Sequence, residues 1–214
     1  MMRALVLGLV AVATPAAADS FEAQAQQATR APLADVIWPV VATCERGDDT
    51  QQRQCKQVRD RKRKAPPATY LVVADPGALA IGAWAADKKG VAVSVASCLD
   101  CKGVAIEGRR WQVVAAGDKR ALYDAPRAFA DEVAAKTWRA SLGTPRVELV
   151  VKAPALAAKK DTVHVDVVAW RVVDPCSGAI VAASPGSQAI AADPKACPPP
   201  AGKRPPTAPP AKAP

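Results

Sequence analysis

RVELVVK, residues 146 to 152, alternates without a break: Val147, Leu149 and Val151 point one way, Arg146, Glu148 and Lys152 the other. A period of two is the mark of a half-buried β-strand, with one face on a core and one in solvent. VHVDVVAWRVV, residues 163 to 173, repeats the pattern, setting Val163, Val165 and Val167 against His164 and Asp166. It runs through the turn residues DPCSG into AIVAAS, a strand, turn and strand that read as a hairpin.

Working outward from this hairpin, the same grammar covers residues 69 to 184. YLVVA (70 to 74), ALAIGAW (78 to 84), GVAVSVAS (90 to 97), GVAIE (103 to 107) and RRWQVVA (109 to 115) are further strands. DPG and DKKG separate them, proline presetting φ and glycine accepting positive φ. Short links between successive strands imply antiparallel pairing. PRAFADEVAAKTWRASLG, residues 126 to 143, reads as a helix. Asp131 and Glu132 lie near its start, Val133, Ala134, Trp138 and Leu142 form its apolar stripe, and Gly143 and Pro145 end it. The expectation is an α+β domain, mainly antiparallel sheet with one covering helix.

The segments on either side differ in kind. MMRALVLGLVAVATPAAA, residues 1 to 18, combines a basic start at Arg3, an apolar run too short to span a bilayer and small residues at a cut site. That is the pattern of a secretory signal peptide. Residues 19 to 64 form an N-terminal helical segment, opening with a short Ala/Gln-rich helix capped by Ser20. The apolar stretch after Pro32 contains Pro39, which argues against a central strand. Residues 65 to 197 are the expected α+β domain, and PPPAGKRPPTAPPAKAP, residues 198 to 214, reads as a disordered Pro-rich tail.

Within residues 48 to 64, DDTQQRQCKQVRDRKRK, Asp48 or Asp49 serves as N-cap of a second helix. Its only apolar residues are Cys55 and Val58, so burial cannot hold it and another tether is required. Six cysteines supply one: Cys44 with Cys55, Cys98 with Cys101, and Cys176 with Cys197 group as local pairs among the fifteen connectivities that six allow. An even count in an exported chain is ordinarily a disulfide set. Cys98 and Cys101 also have the C-x-x-C spacing of a redox dithiol or half a zinc site. Thioredoxin-like chemistry, however, places that motif at a helix start, and here it falls in a turn between two strand-like runs. Zinc would need a second such pair. No cofactor or metal is expected.

Charge is strongly local. The sequence holds 29 Lys and Arg against 20 Asp and Glu, and removal of the leader takes away Arg3 alone. Arg53, Lys56, Arg59, Arg61, Lys62, Arg63 and Lys64 face only Asp60 between residues 50 and 64. A dense basic helix on a near-neutral domain attracts polyanions through its field. Catalytic patterns are thin. His164 is the sole histidine, Ser177 lacks a G-x-S-x-G setting, and adjacent acids such as Asp48 and Asp49 fit helix capping better than glycoside chemistry. GRRWQ, residues 108 to 112, reads as a buried Trp111 flanked by solvated arginines.

These features describe a periplasmic or secreted, non-enzymatic binding or structural protein of the cell envelope. It would have no transmembrane segment, and its basic helix would contact an anionic envelope polymer or an acidic protein. The alternative is a thiol–disulfide oxidoreductase using Cys98 and Cys101. A thiol count on the chain denatured without reductant separates the two: zero free thiols are expected, and two would restore the dithiol.

Overall fold

The computed structural model describes residues 20–117, 120–153 and 160–197. The signal-peptide and Pro-rich-tail readings fall on residues outside these. Among the described residues four α-helices and ten strands follow one another as α1 (Phe21–Gln26), β1 (Thr29–Arg30), α2 (Leu33–Val41), α3 (Asp49–Lys64), β2 (Ala68–Val73), β3 (Leu79–Ala85), β4 (Gly90–Ala96) and β5 (Cys98–Ile106). The series continues through β6 (Arg109–Ala115), β7 (Ala121–Ala128), α4 (Glu132–Ser141), β8 (Arg146–Ala153), β9 (Thr162–Val173) and β10 (Ile180–Ser184). A seven-stranded sheet in the order β1-β2-β8-β9-β6-β5, with β10 also on β9, packs beside a three-stranded sheet β3-β4-β7. The fold is α+β. No described helix is long and apolar enough to cross a membrane.

The main core lies where the alternating strands predict it. Val147, Leu149, Val151, Val163 and Val165 are fully buried and meet Val93 and Val95 of β4. α2 lays Val36 and Ile37 over the same core. Each such side chain contributes on the order of 1.5–3 kcal/mol.

A register shift on β9 organises the opposite face. Val150 pairs with Ala169 and Val151 with Val167, so Val168 is bulged out of the ladder. Because strand side chains alternate with period two, one inserted residue exchanges the faces beyond it. Val163 and Val165 point into the main core before the bulge, and Trp170 and Val172 do so after it. Arg171 is thereby turned onto the same face as Glu148, its direct partner in the ladder.

There Glu148 is buried to 2% exposure and Arg171 to 8%. Arg171 donates from Nε and Nη2 to Glu148 Oε2 at 2.8 and 2.6 Å. Arg146 engages Oε1 at 2.6 Å. The Arg171 guanidinium also lies over the Phe21 ring, 4.4 Å from its centroid, and reaches Glu22 at 3.2 Å. Glu22 in turn accepts from Ser187 Oγ and from the Gln188 backbone N–H. One charge network therefore clamps α1 and the segment around residues 186–188 onto β8 and β9.

The sheets are mainly antiparallel, as expected, with β1 on β2 and β6 on β9 as two parallel pairs. Several other sequence expectations are corrected. Residues 126–128 belong to β7, and α4 starts only at Glu132, its N-cap Asp131 accepting from Ala134 N at 2.7 Å. Paired to β4 from Gly90 to Ala96, the 121–128 segment gains a ladder of hydrogen bonds that outweighs its helical composition. Val133 is 72% exposed, and α4 presents Ala135, Trp138 and Leu142 inward instead. The covering role belongs mainly to α2 and α1. The polar face expected for β8 is also wrong at Glu148, which the tertiary fold buries.

Burial alone would raise the Glu148 carboxyl, but the hydrogen bonds and charges of Arg171 and Arg146 outweigh it and hold the group below the ordinary value of 4.5. The folded state thus binds this proton less readily than the unfolded chain. The stabilisation is complete above about pH 4.5 and is lost as acid titrates the folded carboxylate. Glu148→Gln leaves Arg171 buried with a neutral partner, and denaturant unfolding at neutral pH should show a loss of about 3–5 kcal/mol. The variant's stability should also depend less on pH in the acid range than the wild type's.

Candidate anion-binding helix

α3 forms for the reasons its sequence announces. Asp48 accepts from Thr50 N and Gln51 N, both at 2.9 Å, while Gln51 Oε1 accepts from Asp48 N at 3.2 Å. This reciprocal capping box satisfies the first turn. Arg61, Lys62, Arg63 and Lys64 fill the last turn, where cations suit the negative end of the helix dipole. No residue of α3 is buried.

The Cys44–Cys55 disulfide, with Cα atoms 5.6 Å apart, ties the helix to the chain after α2. Cys44 adopts φ 60°, an unusual conformation for a side-chain-bearing residue. Glu107, in the β5–β6 turn, accepts from Thr43 N at 2.7 Å, Thr43 Oγ1 at 2.8 Å and Cys44 N at 3.2 Å. Burial would raise this carboxyl, but those hydrogen bonds and the charge of Arg46 hold it below its ordinary value. The sulfurs of Cys44 and Cys55 and the Glu107 carboxylate lie within 4.8 Å of one another, the spacing of a metal ligand set. With the sulfurs bonded to each other and the carboxylate already accepting three donors, the trio works as a clasp.

The seven basic residues of the sequence reading do not form one uniform surface. Arg59, four residues after Cys55, donates to the Ala42 carbonyl at 3.2 Å and pairs with Asp60 at 3.0 Å. Arg63 donates to the Pro39 carbonyl and, at 2.8 Å, to that of Val40. Lys62 sits over the Trp38 ring at 5.5 Å. These three therefore dock α3, and the two arginines satisfy carbonyls at the end of α2 that have no helical partner. The spacing Cys55, Arg59, Lys62 places them on one helical face, a signal present in the sequence but masked by the uniform charge. Arg53, Lys56, Arg61 and Lys64 are exposed, and among the described residues none pairs with a carboxylate. Arg53 Nε donates only to the Asp49 carbonyl.

Other candidate sites resolve into structural features. Cys98 and Cys101 are joined and lie within β5, not in a turn as expected, in a stretch whose pairing with β6 shifts register twice. No helix starts at the motif to lower a thiol pKa. Cys176 and Cys197 form the third bond. Ser177 Oγ donates to Asp174 Oδ2 at 2.6 Å, and Gly143 N, Cys176 N and Ser177 N also point at that carboxylate, so the residue braces the β9–β10 turn. Gly178, at φ 74°, completes the turn where the Ile190 carbonyl leaves no room for a Cβ. Trp111 is buried, with Arg109 over its ring at 4.7 Å and paired to Asp161 at 2.7 Å. His164 makes no hydrogen bond to a serine or an acid among the described residues.

Comparison with protein-family models, curated proteins and solved structures finds no match to this chain. Hydrogen bonds from charged groups contribute about 1.5–3 kcal/mol each, so replacing both docking arginines, Arg59→Met with Arg63→Met, should loosen α3. Hydrogen exchange should speed up in α3 and at the end of α2, with the β8–β9 ladder unchanged.

Proposed function

We propose that this is an exported, non-enzymatic binding or structural protein of the cell envelope that holds an anionic polymer against the outward side of α3. The observation that carries this reading is the division of the helix's cations. Three are spent on docking, while Arg53, Lys56, Arg61 and Lys64 stay exposed, with no carboxylate partner among the described residues, on a helix that is held in place covalently. Three disulfides fit an oxidising compartment.

The character of the helix narrows the partner. Val58 is its single exposed large apolar residue, which is too little for insertion into a bilayer. It carries no aromatic side chain on which a base could stack. Recognition is by charge, through phosphate or carboxylate groups, and is insensitive to sequence.

Retention on immobilised polyphosphate, followed as salt is raised, tests this. Four contacts give a slope of log affinity against log salt of roughly −3. Replacing Arg53, Lys56, Arg61 and Lys64 together by glutamine should abolish retention with unfolding unchanged, whereas undiminished retention would refute the proposal. An intact protein that ignores polyphosphate but binds acidic proteins would move the partner to that class.

A further inference from the structure

A groove of about 640 Å³, within the size range of small-ligand sites, opens along the edge of β2 between the start of α2 and β5. Leu33, Val73 and Val104 give it an apolar lining, and Val73 is 50% exposed.

The backbone of β2 is open there over a short window. Ala74 N donates to the Val147 carbonyl at 3.0 Å, so the alternation of the antiparallel ladder turns the N–H and C=O of Leu71, Val73 and Asp75 away from β8. Both neighbours of Val73 in this outward row are occupied. The Leu71 carbonyl accepts from Ala31 N at 3.2 Å, and Asp75 N donates to the Leu99 carbonyl at 2.8 Å. Nothing among the described residues bonds the N–H or C=O of Val73. A strand laid against this edge therefore has room only opposite Val72, Val73 and Ala74, a length of about 10 Å. A longer chain would run into Ala31 at one end or Leu99 at the other.

The two ends of the window differ in charge. Arg30, the ladder partner of Leu71, lines the groove at the first and has no carboxylate partner among the described residues. Asp75 and Asp100 line it at the second. Asp75 caps Gly77 N and has only a loose contact with the exposed Lys102 at 3.8 Å, and Asp100 caps Gly103 N, so both keep acceptor capacity. Glu148 also lines the groove, but its carboxylate is already held by Arg171 and Arg146.

We infer that this window binds a short zwitterionic peptide, about three residues long with both termini free. Its middle residue lies antiparallel to Val73, giving its N–H to the Val73 carbonyl and accepting the Val73 N–H on its own carbonyl. That direction carries the amino group toward Asp75 and Asp100 and the carboxylate toward Arg30. The parallel direction would set like charges together at both ends. An apolar middle side chain meets Val73 as a cross-strand neighbour. The closed ends distinguish such a ligand from an extended segment of a larger protein, which would have to continue past Ala31 or Leu99.

Titration of the full chain with the tripeptide Ala-Val-Ala, free at both ends, tests this. At a peptide concentration ten times its Kd, exchange of the Val73 amide should slow about tenfold. Acetylating the amino end or amidating the carboxyl end should each weaken binding at least about tenfold, as should Arg30→Gln for the free peptide. Asp75→Asn with Asp100→Asn keeps the side-chain oxygens that accept from Gly77 N and Gly103 N, and should weaken binding by a similar factor. Absence of binding would overturn the inference, as would full affinity for a probe blocked at both ends or extended to six residues. Val73 protection that is present without peptide and grows with protein concentration would overturn it too, by assigning the edge to a second copy.

Discussion

The buried pair in which Arg171 donates twice to Oε2 of Glu148 is the contact on which the arrangement of this protein turns. Both groups have left water, a step that costs several kcal/mol per ion unless every donor and acceptor finds a partner. Arg146, Glu22 and Ser187 complete the set. The pair thus obliges three separate parts of the chain to meet: the β8–β9 ladder, the first helix and the segment after β10. Phe21, fully buried beneath the guanidinium, supplies the apolar half of the same junction. The bulge at Val168 is the geometric precondition, since without it Arg171 would face the valine core.

α3 is held by a different logic. It offers no side chain to a core, so it is attached by a disulfide, by arginines bonded to the carbonyls ending α2, and by a lysine on a tryptophan ring. None of these contacts needs the outer side of the helix. An element fastened in this way can leave the rest of its charge free without loss of position, which suits a binding surface that works through its field.

Much of this was legible in the residues. The alternation in 146–152 and 163–173, the DPCSG turn, the Ser20 and Asp48 caps and the three local cysteine pairs are short-range patterns. Backbone geometry and covalent reach decide such features within a few residues. What could not be read was long-range. Composition made residues 126–131 helical, yet pairing with β4 drew 126–128 into β7. The C-x-x-C motif looked like a turn, and β6 drew it into a strand. Of seven cations that look alike in sequence, proximity to the end of α2 separated three from four.

Sequence alone therefore determined which segments are strands or polar helix, which cysteines lie within reach of each other and where charge is concentrated, because each depends on neighbours in the chain. Tertiary structure alone decided that Glu148 is buried, that a bulge rotates Arg171 to meet it, and that β2 keeps an open edge at Val73. Those outcomes depend on which strands lie side by side. A pattern of period two carries the same information whichever partner it meets, so only the assembled sheet could choose.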